Sequence, residues 1–295
     1  ATPAGREREV RFKMISTTNT KINTACSLLE VSRSGYYYWQ QRSCLPETKD
    51  ETKERIREIC TDFSKYGYRR VTKQLQRDGK IINTKKVRRI MKEENLVVKK
   101  KRYKPITTQS NHSLQTYPNL AKNFTPTGVN QLWVADITYI RLLYEFVYLA
   151  AITDVFSRRC VGWALSRNID AQLALSALNK AIQLRGKENV AACIHHSDQG
   201  VQYASAVYVK KLNEHDMLVS MSRKGNCYDN AFAETFFKTL KYEEVLMNEY
   251  ESFDDAHQNI KRFIEEVYNK KRLHSSIGYV PPEEFENKML NMSLT

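Results

Sequence analysis

Three acidic residues sit where a carboxylate is hard to accommodate unless it has a purpose. Asp136 interrupts an apolar run, with Val134 before it and Ile137 and Tyr139 after it. Asp198 follows a short apolar segment in His195-His196-Ser197-Asp198-Gln199-Gly200. Glu234 stands one turn into a helical pattern, Asp229-Asn230-Ala231-Phe232-Ala233-Glu234. An unpaired carboxylate among apolar neighbours is costly, and gathering several around divalent metal resolves the cost. Hard oxygen donors suit Mg²⁺ or Mn²⁺. Two such ions about 3.5–4 Å apart would serve in-line phosphodiester chemistry, one activating the attacking oxygen and one stabilising the leaving oxygen. Lys241 lies two turns beyond Glu234 on the same helix face, where a cation could hold a phosphate.

The elements around these residues read as an α/β layer. Residues 132–143 and 145–154 are adjacent strands rich in Val, Ile, Tyr and Phe, and 159–166 is a third. A helix over 170–184, a strand over 190–195, a helix over 203–214 and a strand over 218–221 follow. Helices over 230–247 and 254–269 close the unit. Three consecutive strands and then alternating helices and strands predict a mixed sheet with flanking helices. Asp136 then lies inside a strand, Asp198 just past one, and Glu234 on a helix.

The front of the chain is different. Two short helices fit 21–42, with Ser32 or Ser34 as a cap, and a longer helix fits 47–63. A helix over 69–77 burying Val71 and Leu75 leads through Gly79 to another, capped near Asn83 and Thr84, that buries Val87, Ile90 and Met91. The outer face of that last helix carries Lys85, Lys86, Arg88, Arg89 and Lys92, the shape of a helix-turn-helix. Residues 97–135 contain no acid, and Lys100, Lys101 and Arg102 with Pro105, Pro118 and Pro126 read as a basic linker.

Charge divides the same way. Of a net charge of +14, residues 1–125 hold 28 Lys/Arg against 12 Asp/Glu, and residues 126–295 hold 19 against 21. A basic front on a nearly neutral second half points to a polyanion as partner. No apolar run approaches the roughly 20 residues of a membrane span, so the chain is read as having no membrane partner. The six cysteines lack any Cys-x-x-Cys pair and read as reduced thiols packed like small hydrophobes.

The spacing of the acids resembles a known signature. Sixty-one residues separate Asp136 from Asp198 and 35 separate Asp198 from Glu234, similar to the D,D(35)E pattern of retroviral integrases and many insertion-sequence transposases. The words Trp133-Val134-Ala135-Asp136-Ile137-Thr138-Tyr139, His196-Ser197-Asp198-Gln199-Gly200 and Ser222-Arg223-Lys224-Gly225 resemble the second-frame protein of the insertion-sequence 3 family. So do Glu234 to Lys241 and the tail Tyr268-Asn269, His274 to Tyr279 and Pro282 to Phe285. Thr235 stands where that family more often has Ser.

The resemblance implies an RNase H-like catalytic domain with a mixed five-stranded sheet, preceded by helix-turn-helix DNA-binding modules. The division it suggests is 1–45 (N-terminal helical), 46–96 (helix-turn-helix), 97–127 (basic linker) and 128–295 (catalytic domain with helical tail). It implies a Mg²⁺-dependent transposase, with Mn²⁺ as substitute and two ions per site. Asp136, Asp198 and Glu234 would be catalytic and metal-binding. Lys241, the basic residues of the 84–94 helix, Lys100, Lys101, Arg102, Arg223 and Lys224 would contact double-stranded DNA. It also implies a homo-oligomer on DNA, an upstream-frame partner protein, and a place in the bacterial cytoplasm at the nucleoid. A nuclease that only hydrolyses, and a DNA-binding regulator with a spent site, are the alternatives. Asp154 reads as a structural acid near Ser157 and Arg158, Trp133 and Tyr139 as core or rim aromatics, His195 or His196 as packed or capping. Asp229 and Asn230 read as caps of the helix bearing Glu234.

Overall fold

The apolar run around Asp136 forms the middle of a sheet. A computed structural model describes residues 3–18, 20–44, 51–98, 114–222 and 231–293. The chain divides into two compact units, Ala1–Glu58 and Ile59–Thr295.

In the first unit, helices α1 (Pro3–Thr17), α2 (Ile22–Leu28) and α3 (Arg33–Cys44) enclose Ile15, Ala25, Cys26 and Tyr36. Ser32 rather than Ser34 caps α3, its Oγ accepting from Gly35 N at 3.1 Å. Helix α1 escaped the sequence reading because its charged residues leave little apolar periodicity. Helix α4 (Glu51–Asp62) runs across the division.

The second unit begins with a helix pair, α5 (Tyr68–Arg77) and α6 (Thr84–Glu93). Both bury the side chains expected, Val71 and Leu75 on one, Val87, Ile90 and Met91 on the other. Gly79 takes the left-handed φ of +83° that ends α5, and Asn83 accepts from Lys85 N at 2.8 Å to start α6.

Strands β1 (Leu132–Arg141), β2 (Phe146–Asp154), β3 (Cys160–Ser166), β4 (Ile194–Ser197) and β5 (Leu218–Met221) form one sheet in the order β3-β2-β1-β4-β5. The first three pair antiparallel, while β4 joins β1 and β5 joins β4 in parallel. This is the expected mixed five-stranded sheet of an RNase H-like domain. Parallel neighbours need crossovers, supplied by α7 (Ala171–Arg185) before β4 and by α8 (Val201–Ala204) and α9 (Ala206–Asn213) before β5.

Several boundaries differ from the sequence reading: the strand read to 143 ends at Arg141, and the helices read over 230–247 and 254–269 end at Glu243 and Arg262. β4 starts at Ile194, because Ala192 sits at a φ of +60° and β1 offers its first partner at Leu132↔Ile194. The helix expected over 203–214 breaks at Ser205, whose ψ of 142° is extended.

The sheet carries a core on each face. Trp133, Ala135, Ala150, Ile152 and Val161 pack against Leu173, Ala177, Leu178 and Ala181 of α7. Contact is close at Gly162, where a Cβ would lie 2.2 Å from Ala177 O. On the other face Ile140, Leu149, Ala151 and Trp163 pack on Phe236, Phe237 and Leu240 of α10 (Ala231–Glu243) and Ile260 of α11 (Phe253–Arg262). The last helix, α12 (Pro282–Ser293), is tied back by ion pairs: Arg159 reaches Glu283 at 3.0 Å and Glu286 at 2.7 Å, and Arg185 also grips Glu286. Among the described residues, no helix is long and apolar enough to cross a membrane.

Candidate active site

Alternation along β1 decides where Asp136 points. Trp133 and Ala135 face α7, so their neighbours Leu132 and Val134 face the other way, where they pack with Ala233 of α10. Asp136 shares their parity and faces α10. The parallel register with β4 pairs Val134 with His196, and carrying it on by two residues sets Asp198 level with Asp136. Asp198 directly follows the last residue of β4, the strand paired with β1, and its charge acts on Asp136.

Short-range contacts hold both carboxylates. Asp136 Oδ1 accepts from Ile137 N at 2.8 Å and Asp198 Oδ1 from Gly200 N at 3.0 Å. Glycine is needed at position 200 for space, since a Cβ would lie 2.9 Å from Asp198 Oδ1. Glu234, on the first turn of α10, is exposed.

Electrostatics link the acids. Burial raises the Asp136 carboxyl from its ordinary 3.8 to about 7, the charge of Asp198 adds to this, the Ile137 N–H opposes it, and Glu234 and Lys241 act more weakly in opposite directions. Like-charged acids crowding a desolvated position are the donor set that a hard dication stabilises. Among the described residues, no three acid, His or Cys side chains already stand at the spacing of a closed metal site. What exists is a carboxylate pair with a third carboxylate within electrostatic reach.

Lys241 lies two turns beyond Glu234, as expected, but half-buried. Its ammonium stands 4.6 Å from the centroid of the Tyr139 ring. Burial lowers its pKa and Asp136 counteracts this. Trp133 is fully buried core, and Tyr139 is a rim aromatic beneath Lys241.

His195 Nε2 lies 3.0 Å from Tyr208 Oη, and burial lowers its pKa to about 3, so it is a neutral core residue. His196 Nδ1 lies 2.9 Å from Ser220 Oγ. Asp154 is structural, accepting from the N–H groups of Asn130, Phe156 and Ser157 at 2.7, 2.9 and 2.9 Å.

Sequence reasoning missed Tyr203. It is 3% exposed, and its hydroxyl finds no hydrogen-bond partner among the described residues. Burial, then Tyr208, Asp136 and Asp198, push its pKa well above the ordinary value, so it remains a neutral donor beside the acid pair.

Of the expected DNA contacts, Lys85, Lys86, Arg88, Arg89 and Lys92 are all exposed on α6. Lys100, Lys101, Arg102, Arg223 and Lys224 lie outside the described residues, as do Asp229 and Asn230, the expected caps of α10. Cys26, Cys60, Cys160 and Cys193 are free thiols, and burial pushes Cys160 and Cys193 well above the usual thiol range.

This sheet order, with two acids at the junction of its antiparallel and parallel halves and a third on the covering helix, defines a polynucleotidyl transferase with an integrase-type core. Residues 126–227 and 215–282 match two family models described as integrase core domain, and residues 47–104 match one described as HTH-like domain. The chain belongs to the insertion-sequence 3 family of transposases. It is 37% identical over 281 residues to "Transposase InsF for insertion sequence IS3A" of Escherichia coli, covering 91% of this chain and 95% of the relative. It is 39% identical over 274 residues to "Insertion element IS600 uncharacterized 31 kDa protein" of Shigella sonnei, covering 91% and 99%. Among solved structures, a chain of a simian T-cell lymphotropic virus intasome aligns with a TM-score of 0.47 at 15% identity, over 79% of this chain and 74% of that one. The HTLV-2 integrase catalytic core domain in complex with magnesium aligns at 0.43 and 14%, over 55% and 99%. The protein is thus a DNA transposase with an integrase core and an HTH-like region, and DNA is its partner.

Proposed function

We propose that this transposase binds the terminal inverted repeats of its element, cleaves there, and joins the freed 3′-hydroxyl to a target phosphodiester at Asp136, Asp198 and Glu234. The observation that carries this is the mutual electrostatic reach of Asp136 on β1 and Asp198 just past the parallel β4, with Glu234 and Lys241 also acting on Asp136.

Asp136 and Asp198 would hold Mg²⁺, or Mn²⁺ in its place, with Glu234 completing a two-ion set. When bound, the ions supply Lewis acidity at the attacking and leaving oxygens. The chain's own residues do the rest. Rigid strands fix the carboxylate pair, and Gly200 N–H orients Asp198. Tyr203 would stay a neutral hydroxyl within electrostatic reach of the acids, and Lys241 would contact a DNA phosphate. Glu234 is exposed at the start of a helix, so it can approach the pair once DNA and metal are present.

The basic face of α6 would grip end DNA, and Lys100, Lys101, Arg102, Arg223 and Lys224 would extend the contact. The division into 1–45, 46–96, 97–127 and 128–295 belongs to the same proposal, supported by the HTH-like match over 47–104. Pairing two ends requires a dimer or larger assembly on DNA, with the upstream-frame protein as a further partner and the nucleoid as the place of action.

Replacing Asp198 by Ala is expected to abolish joining of labelled end DNA while leaving end binding, measured by gel shift, within about twofold. Full joining by D198A contradicts the assignment.

A further inference from the structure

Across α10 from the acids lies a cleft of about 270 Å³ that the transposase reading does not use. Thr239 is five residues past Glu234, about 140° around the helix at 3.6 residues per turn, so the cleft and Glu234 occupy different faces. Arg70, Arg158 and Arg272 line the cleft, and Ser275, Ser276 and Thr239 add hydroxyls.

Arg272 is 2% exposed. Its Nε and Nη2 each donate to Glu243 at 2.7 Å, but its buried Nη1 has no partner among the described residues. Arg158 is held at a left-handed φ of +66°, its guanidinium 4.2 Å from the Phe232 ring centroid, and its buried Nε is likewise unpartnered. Arg70 reaches Glu243 only at 3.8 Å. Among the described residues the one carboxylate lining the cleft, Asp154, already accepts from three backbone N–H groups and from Ser157 Oγ. Three guanidiniums against Asp154 and Glu243 leave a positive excess with donors unused. That excess of guanidinium charge around a cleft lined with hydroxyls suits an anion.

We infer that this cleft is an anion site that takes one phosphate group of the DNA backbone. The inference rests on the transposase reading, which supplies DNA as the anion. Phosphate matches the site because guanidinium forks and hydroxyls bond its oxygens together. The neutral state of His274 agrees with this. Burial, then Arg272, Arg70 and Arg158, lower its pKa to about 3, so it adds no proton of its own to a site already charged by arginine.

The test uses the full chain and two variants, Arg158→Gln and Ser276→Asp. The first removes a guanidinium and the second sets a carboxylate at the mouth while keeping every arginine. End-DNA affinity is measured across a salt series. The slope of log affinity against log salt is expected to fall by about one in R158Q, and affinity to drop equally for end and unrelated DNA. S276D should weaken binding in the same sense, and Arg158→Lys should restore part of the slope. Slope and affinity unchanged in both R158Q and S276D overturn the inference. Unchanged DNA slopes accompanied by stabilisation with inorganic phosphate would assign the cleft to free phosphate and also overturn it. Loss of joining by the wild type, with the slope change intact, would instead count against the catalytic reading alone.

Discussion

Asp136 meets two penalties at once, removal from water and a second carboxylate at its side, and both favour its protonated form. The sign of its effect follows. Its folded pKa of about 7 lies above the ordinary 3.8, so the folded protein holds a proton that the unfolded chain releases between those values. Stability from this group is present at low pH and is lost as pH rises through about 7. His274 acts oppositely. With a folded pKa of about 3 against an ordinary 6.5, its contribution is present above the ordinary value and is lost as pH falls through that window. Melting temperature measured without metal from about pH 5 to about pH 7 reports the sum of such groups. Asp136→Asn is expected to make stability rise more steeply with pH over this range, and His274→Gln to make it rise less steeply. A slope unmoved by Asp136→Asn contradicts the burial and crowding assigned to that residue. At this scale the three acids were legible in the sequence, because a carboxylate inside an apolar strand pattern is conspicuous. Tyr203 was not, since only the fold brings it within electrostatic reach of them. Arg158 and Arg272 were not either, being 114 positions apart in the chain with no shared motif.

At the scale of elements, alternation and spacing located most strands, the buried face of α6 came out residue for residue, and that of α5 did so apart from Thr72. Boundaries went astray where tertiary pairing decides them, as at Ile194, or where one residue turns extended, as at Ser205. Helix α12 was recognisable only as a family word, yet it is an anchor. Glu286 is 2% exposed and joins Arg159 of the β2–β3 turn to Arg185 at the end of α7. Burial alone would raise its pKa, but hydrogen bonds and charge from Arg185, with further bonds from Ser157 and Arg159, hold it below the ordinary value. Glu286→Gln leaves two guanidiniums short of a charge partner, and a loss of about 3 kcal/mol in chemical denaturation is expected. A loss below about 0.5 kcal/mol, the range of ordinary surface changes, would mean that α12 is held by its other contacts.

At the scale of the whole molecule, the proposed function joins the polarised charge and the integrase core in one activity. In it a basic front would supply a salt-dependent grip on DNA, and a nearly neutral α/β unit would supply a rigid frame for three acids. The central claim is that this frame joins DNA strands at those acids rather than merely cutting them. It is tested most directly by incubating the full chain with labelled, pre-cut end DNA, a target duplex and Mg²⁺, and resolving the products by length. The account predicts longer, joined strands with the wild type and none with Glu234→Gln. Shortened strands alone, or joined strands persisting with E234Q, would contradict it.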